Sequence, residues 1–223
     1  MITITAFKWV PTFAQGQVRD HRLRWMLKEA GWPYRVRLID AVEQKSPAYR
    51  AMQPFGQVPV LEEEGRPPMF ETGAILLDIA ERSGCLWPAD PALRGPVLCW
   101  HFAALNSVEP LLMELGLIEF FVTDEAEKAL RRPGARKLAA ERLAAVEAAL
   151  AGRDWLAADE FTLADLMMAS VMKIAASLDL LGEFPRLRDW QARCLDRPAY
   201  REAIAEQMAD FAGHGPADMR WRG

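Results

Sequence analysis

The sequence is poor in the residues from which covalent staples and metal centres are made. Its three cysteines, Cys85, Cys99 and Cys194, are an odd number at wide spacings with no CxxC pair, and its three histidines do not cluster. Neither a disulfide framework nor a metal site is indicated. Excess positive charge is missing too. With 27 Lys+Arg against 31 Asp+Glu the net charge is -4, so there is no general basic surface for a phosphate backbone, and nucleic acid is not an expected partner. No run approaches the roughly 18 uninterrupted apolar residues of a membrane span. The first ten residues carry Lys8 and Trp9 and no small-residue cleavage site, so they do not read as a secretory signal. These absences together point to a reducing, cytoplasmic compartment. What is there is ordinary soluble globular composition, 51% hydrophobic and 26% charged over 223 residues, long enough to bury a sizeable core.

From Ile2 to Ser83 the apolar pattern changes period repeatedly, as an α/β unit does, whereas from Pro91 to Phe211 it stays helical and alanine-rich. Two domains are expected, residues 1–83 and 92–223. The linker between them is 84–91, where Gly84, Pro88, Asp90 and Pro91 punctuate the chain.

Ile2 to Phe7 alternates β-branched residues and predicts a strand. Leu23, Met26, Leu27 and Ala30 then recur at helical spacing, with Gly31 placed as a C-terminal cap. Tyr34 to Ile39 alternates again, which completes a βαβ unit. Two short runs, Val58 to Leu61 and Pro68 to Phe70, flank the charged turn from Glu62 to Arg66 and suggest a hairpin, and a helix follows from Thr72 to Arg82. In the second part long helices are predicted over Leu93 to Phe121 and Ala135 to Leu150. Thr162 and Asp165 form a capping-box pattern ahead of the apolar stripe Leu163, Met167, Ser170, Val171 and Ile174. Pro185 and Pro198 open two more helices.

The segment Gln53-Pro-Phe-Gly-Gln-Val-Pro-Val-Leu, followed by Phe70-Glu-Thr-Gly-Ala-Ile, resembles the glutathione-binding half of the glutathione transferase family. Leu23-Arg-Trp-Met-Leu-Lys-Glu-Ala-Gly and Phe161-Thr-Leu-Ala-Asp are similar to that family as well. The resemblance implies a thioredoxin-like N-terminal domain followed by an all-helical C-terminal domain. It also implies glutathione as co-substrate and a homodimer, for which Tyr49 and Phe55 are candidate apolar contacts. Gln57 matches the family position whose side chain reaches the second carboxylate of the tripeptide.

The chemistry of these residues suits a γ-glutamyl tripeptide. Proline after Val58 is a candidate for a cis bond, which would turn the Val58 N–H and C=O outward, where a peptide backbone could pair as an added strand. The Thr72 hydroxyl and the N–H groups of the next helix would hold a carboxylate, and the Glu71 carboxylate would take an ammonium. Gln57, Val58, Pro59, Glu71 and Thr72 are therefore the candidate glutathione-binding residues. Thr162 and Asp165 read as structural capping, and the cysteines and His21, His101 and His214 as structural too.

The sequence departs from the family at the thiol. Most members activate it with a Tyr, Ser or Cys near the start of the first helix, and none of these occurs between Met1 and Pro33. Gln17 or Val18 falls at the slot, the nearest hydroxyl is Thr12, and Arg19 brings a full positive charge. Arg19, Thr12 and Gln17 are the candidate catalytic residues, with a solvated helix face as the competing reading of Arg19, Arg22 and Arg24. A thiol of pKa near 8.5 is about 3% thiolate at pH 7, and charged hydrogen bonds of roughly 1.5 to 3 kcal/mol could lower that pKa by one to two units. The expected function is a transferase-like enzyme that turns bound glutathione thiolate on an electrophile or a disulfide. Its second substrate is small and apolar, or a disulfide, and lies between the domains against Trp100, Phe102, Met113, Phe120 and Phe121, most of which read better as core residues. The alternative is a non-catalytic glutathione-binding or protein-interaction module of the same fold.

Overall fold

The computed structural model describes residues 1–219. The chain forms two compact units. The first holds Met1–Cys85 and takes up the chain again from Arg197; the second is Leu86–Asp196. The first break falls inside the expected linker. The residues from Arg197 onward, which the periodicity grouped with the helical part, belong instead to the first unit.

The first unit is built on β1 (Ile2–Phe7), α1 (Asp20–Glu29) and β2 (Tyr34–Ile39). β1 and β2 pair in parallel from Ile2 with Tyr34 to Phe7 with Ile39. Two short helices, α2 (Ala41–Gln44) and α3 (Pro47–Met52), lead to β3 (Leu61–Glu63). β3 runs antiparallel to β1, so the sheet order is β2-β1-β3. The expected second hairpin strand is a single bridge between Leu61 and Met69, closed by hydrogen bonds of 2.9 Å in both directions. Pro59, Pro67 and Pro68 have no N–H with which to lengthen the ladder. α4 (Thr72–Ser83) follows and ends at Gly84, whose φ of 71° is the left-handed cap that glycine accepts.

The C-terminal helix of this unit, α10, spans Pro198–Ala212; the five helices α5 to α9, described below, lie in the second unit. It is tied to α1 by Arg197, whose guanidinium meets both Glu29 oxygens at 2.6 and 2.8 Å. Trp25 packs edge-on to Tyr200 at 4.9 Å, and Arg24 reaches Asp210 at 2.6 Å. This overturns the solvated-face reading of Arg22 and Arg24. Both are almost fully buried, and Arg24 is paired there by Asp210 on a helix 186 residues downstream.

In the second unit, α5 (Pro91–Ala103) and α6 (Glu109–Phe121) are joined by a π-helical turn over Ala104–Val108. The helix expected over this stretch is thus interrupted just before Pro110, which has no N–H to carry on the regular ladder. α7 (Glu125–Ala149) begins ten residues before the expected Ala135. The Asp124 carboxylate caps it by accepting from Ala126 N–H, and Arg131 and Arg132 pair with Glu127, Glu114 and Glu119, so the helix runs through Pro133. α8 (Leu163–Ser177) is the buried centre of this unit and packs against α5, α6 and α9 (Pro185–Leu195).

Candidate functional site

The loop from Gln53 to Pro59 is held from beneath by α3. Ser46 caps α3 by accepting from Tyr49 N–H at 3.2 Å, which turns Tyr49 inward to 1% exposure. Its hydroxyl donates to the Gln57 C=O at 2.7 Å, an atom that can only accept. Thr5 Oγ1, 3.1 Å from the same hydroxyl, must therefore give its own proton to Tyr49, and it accepts in turn from Val60 N–H at 2.7 Å. A directed chain runs from Val60 through Thr5 and Tyr49 to Gln57. Burial pushes the Tyr49 phenol above its ordinary pKa, so it stays the donor this chain needs. Gly56, at φ 64°, sits where a Cβ would stand 2.6 Å from the Arg50 guanidinium carbon. Arg50 and Gln44 hold the carbonyls of Pro54 and Gly56.

This support presents a cis peptide between Val58 and Pro59. Among the described residues, no backbone group pairs with the N–H or the C=O of Val58, so both are free for an extended ligand. Gln57 beside them is exposed and its amide engages no neighbour.

The second element is the start of α4. Glu71, its N-cap, has φ 70° and ψ 112°, a left-handed backbone that costs a non-glycine residue on the order of 1–3 kcal/mol and is typical of functional sites. Its carboxylate is exposed and pairs with no described residue. Thr72 is nearly buried, and no described group takes its hydroxyl. A free carboxylate next to a free hydroxyl on a helix start offers one partner each for the ammonium and the carboxylate of an α-amino acid. Phe70 and Phe55 bring the two elements together, their rings edge-on at 6.3 Å. Tyr49, by contrast, cannot be the exposed apolar contact expected of it, because its ring is in the core.

The third element is the loop before α1. Thr12 opens a 3-10 turn, Thr12–Ala14, and is exposed, while Gln17 and Arg19 are half-buried. Val18 packs on the core cluster of Ile39, Tyr49, Val58 and Val60. Arg19 occupies the N-cap position of α1 without capping it. Immediately after it Asp20 is fully buried. Burial pushes its carboxyl up to about 6, against the pull of Arg24 at 2.8 Å and of Gln207 at 2.6 Å. Tyr49, Asp20 and Gln207 were not among the residues expected at the site. Tyr49 pairs with Thr5, 44 positions away, and Asp20 with Gln207, 187 positions away, which no local spacing reveals.

Two of the histidines make hydrogen bonds to backbone carbonyls. His21 Nδ1 donates to the Val18 C=O and His214 Nδ1 to the Asp210 C=O, both at 2.8 Å. The Cys85 thiol donates to the Glu29 C=O, Cys99 is exposed and Cys194 is buried. No helix is long and apolar enough to cross a membrane, and no group of three or more acidic, Cys or His side chains could hold a metal, among the described residues. Phe102, Met113, Phe120 and Phe121, among the residues that read better as core from the sequence, are instead exposed on α5 and α6.

A mixed sheet with a cis-proline loop and a helix that starts at Thr72, followed by a separate helical unit, defines a thioredoxin-like domain with an all-α companion. Residues 21–82 match the sequence model of the glutathione S-transferase N-terminal domain and residues 108–198 that of the C-terminal domain, and the chain belongs to the glutathione S-transferase family. It is 26% identical over 208 residues to glutathione S-transferase 3 of Schizosaccharomyces pombe, covering 86% of this chain and 85% of that one. To the disulfide-bond oxidoreductase YfcG of Escherichia coli it is 24% identical over 201 residues, covering 85% and 92%. In fold it is similar to the crystal structure of a glutathione transferase from Pseudomonas putida with one glutathione disulfide bound per subunit, at TM-score 0.78, 24% identity and coverage of 91% and 90%.

Proposed function

We propose that this protein holds glutathione on its thioredoxin-like unit and turns the thiolate on an electrophile or a disulfide. The observation that carries the reading is the free N–H and C=O of Val58 beside the cis bond, set next to the unpaired Glu71 and Thr72. Val58 pairs with the ligand backbone, Glu71 takes the α-ammonium and Thr72 the α-carboxylate, and Gln57 reaches the other carboxylate. In conjugation the sulfur forms a bond to carbon as a leaving group departs; with a disulfide it forms a new S–S bond and releases a thiolate.

Glutathione is expected to raise the melting temperature. Glu71→Ala or Thr72→Ala each strips a partner from a charged group, a loss of roughly 1.5 to 3 kcal/mol, or about tenfold to a hundredfold in affinity. Unchanged ligand-induced shifts in both variants would refute the assignment. The absence of Tyr, Ser and Cys from residues 1–33 favours a second reading, a glutathione-binding module without catalysis. Conjugation of an aromatic electrophile and reduction of a glutathione mixed disulfide, both measured beside affinity, separate the two.

We further place the protein in the cytoplasm, on its free cysteines, and as a homodimer, with Phe55 at 62% exposure and its ring partner Phe70 as the apolar contact. Light scattering at micromolar concentration should give twice the chain mass of 25.1 kDa, and Phe55→Ser should shift it toward the monomer.

A further inference from the structure

We propose that Gln207, on α10, is a positioning residue for the glutathione thiol, holding the loop that enters α1 in register with the Val58 backbone. The inference rests on the glutathione reading above. With no Tyr, Ser or Cys in residues 8–19, stabilisation of the thiolate falls to loop N–H groups, Thr12, Gln17 and the Arg19 guanidinium. What such donors contribute depends steeply on distance and angle, so the fixing of the loop decides how far the thiol pKa is lowered.

The C-terminal segment holds that loop near its two ends and lies close to it at Gly16. Trp9 N–H lies 3.3 Å from Met219 Sδ. Met208 Sδ lies 3.9 Å from where a Cβ on Gly16 would stand, at a glycine whose φ is 77°. Gln207 is 1% exposed, and its Nε2 donates both to the Val18 C=O at 2.9 Å and to Asp20 Oδ1 at 2.6 Å. The same Val18 C=O accepts from His21 Nδ1. Val18 then packs on the core that includes Val58 and Tyr49. Through Val18, Gln207 is therefore linked to the core cluster that holds Val58, the residue whose backbone would receive the tripeptide. The anchoring of α10 itself has other means, since Arg197 with Glu29 and Arg24 with Asp210 pair the two helices directly. Gln207 differs from these in reaching past α1 to the backbone of the loop.

The test is the ultraviolet absorbance of bound glutathione thiolate followed against pH in the wild type, Gln207→Met and Met208→Ala. Methionine keeps the volume and removes both donors. The bound thiol of the wild type should titrate below that of free glutathione. In Gln207→Met its pKa should rise by about half to one unit, a threefold to tenfold loss of thiolate at neutral pH, with glutathione affinity changed less than about twofold. Met208 is partly exposed, and Met208→Ala should move the pKa in the same direction by less, which decides the matter should Gln207→Met not fold. An unchanged thiol pKa in the folded variants overturns the positioning role and leaves the glutathione reading standing. So does a loss of affinity with the pKa unmoved, which is the signature of a scaffold residue. A wild type that glutathione does not stabilise overturns the glutathione reading, and the role of Gln207 with it.

Discussion

Tyr49 shows how one side chain can hold a site it does not enter. Its hydroxyl is the middle of the chain from Val60 N–H through Thr5 to the Gln57 C=O. Tyr49→Phe keeps the ring in the core and deletes that link, leaving the Gln57 C=O without its donor and the Thr5 hydroxyl proton without its acceptor. A loss of about 1–3 kcal/mol in urea denaturation is expected, together with a smaller glutathione-induced rise in melting temperature as the Val58 loop loosens. Retention of both would mean that the loop is fixed from elsewhere. The local features of the candidate site were legible in the sequence. Val58, Pro59, Glu71 and Thr72 lie within fifteen residues, and the cis bond and the helix start each follow from a local signal. Tyr49 was legible as an aromatic but not as a support, because its partners Thr5 and Gln57 are brought to it only by the sheet.

At the scale of elements, the long helices were read from periodicity and their ends mostly from caps and prolines. The failures share a cause. α2 and α3 are too short for any period to repeat, and what defines them is the caps Asp40 and Ser46. α7 extends past Pro133 because charges on α6 meet Arg131 and Arg132, which spacing within α7 cannot show. The capping box at α8 was anticipated, but it does more than cap. The buried Asp165 carboxylate accepts from Thr162 N–H and Oγ1 at 3.0 Å, from Leu156 N–H at 2.9 Å and from the Trp190 indole at 3.1 Å. Burial raises its pKa against these four donors. A cap alone contributes about 1 kcal/mol. Asp165→Ala orphans three further buried donors, so its cost should exceed that several-fold, at roughly 4 kcal/mol or more. A denaturant midpoint that implies only the capping value would show that Leu156 and Trp190 find other acceptors.

At the scale of the whole molecule, the chain returns after Asp196 to the unit it left at Cys85, and charge inside that closure makes a testable pH dependence. Asp20 on α1 is enclosed by Arg24 of its own helix and by Gln207 and Asp210 of α10. Its carboxyl titrates near 6 in the native chain against an ordinary value of 3.8. Because the native state holds this proton more tightly than the unfolded state, the group's contribution to stability is full below about pH 4. It declines as pH rises and is lost above about 6, by an amount on the order of 3 kcal/mol for two pKa units. Paired carboxylates act in the opposite sense. Glu63 is held below its usual range by Arg82, and Glu119 by Arg132, so the total stability of the wild type does not isolate Asp20. The difference between wild type and Asp20→Asn does, since asparagine cannot titrate and leaves the other groups in place. Urea midpoints for the two proteins between pH 4.5 and 8 should diverge, the wild type losing ground to the variant as pH rises to about 6 and holding a constant offset beyond it. A difference that is flat over the whole range would mean that Arg24 keeps Asp20 ionised throughout, and that α10 is closed on α1 by an ion pair at every pH in that range.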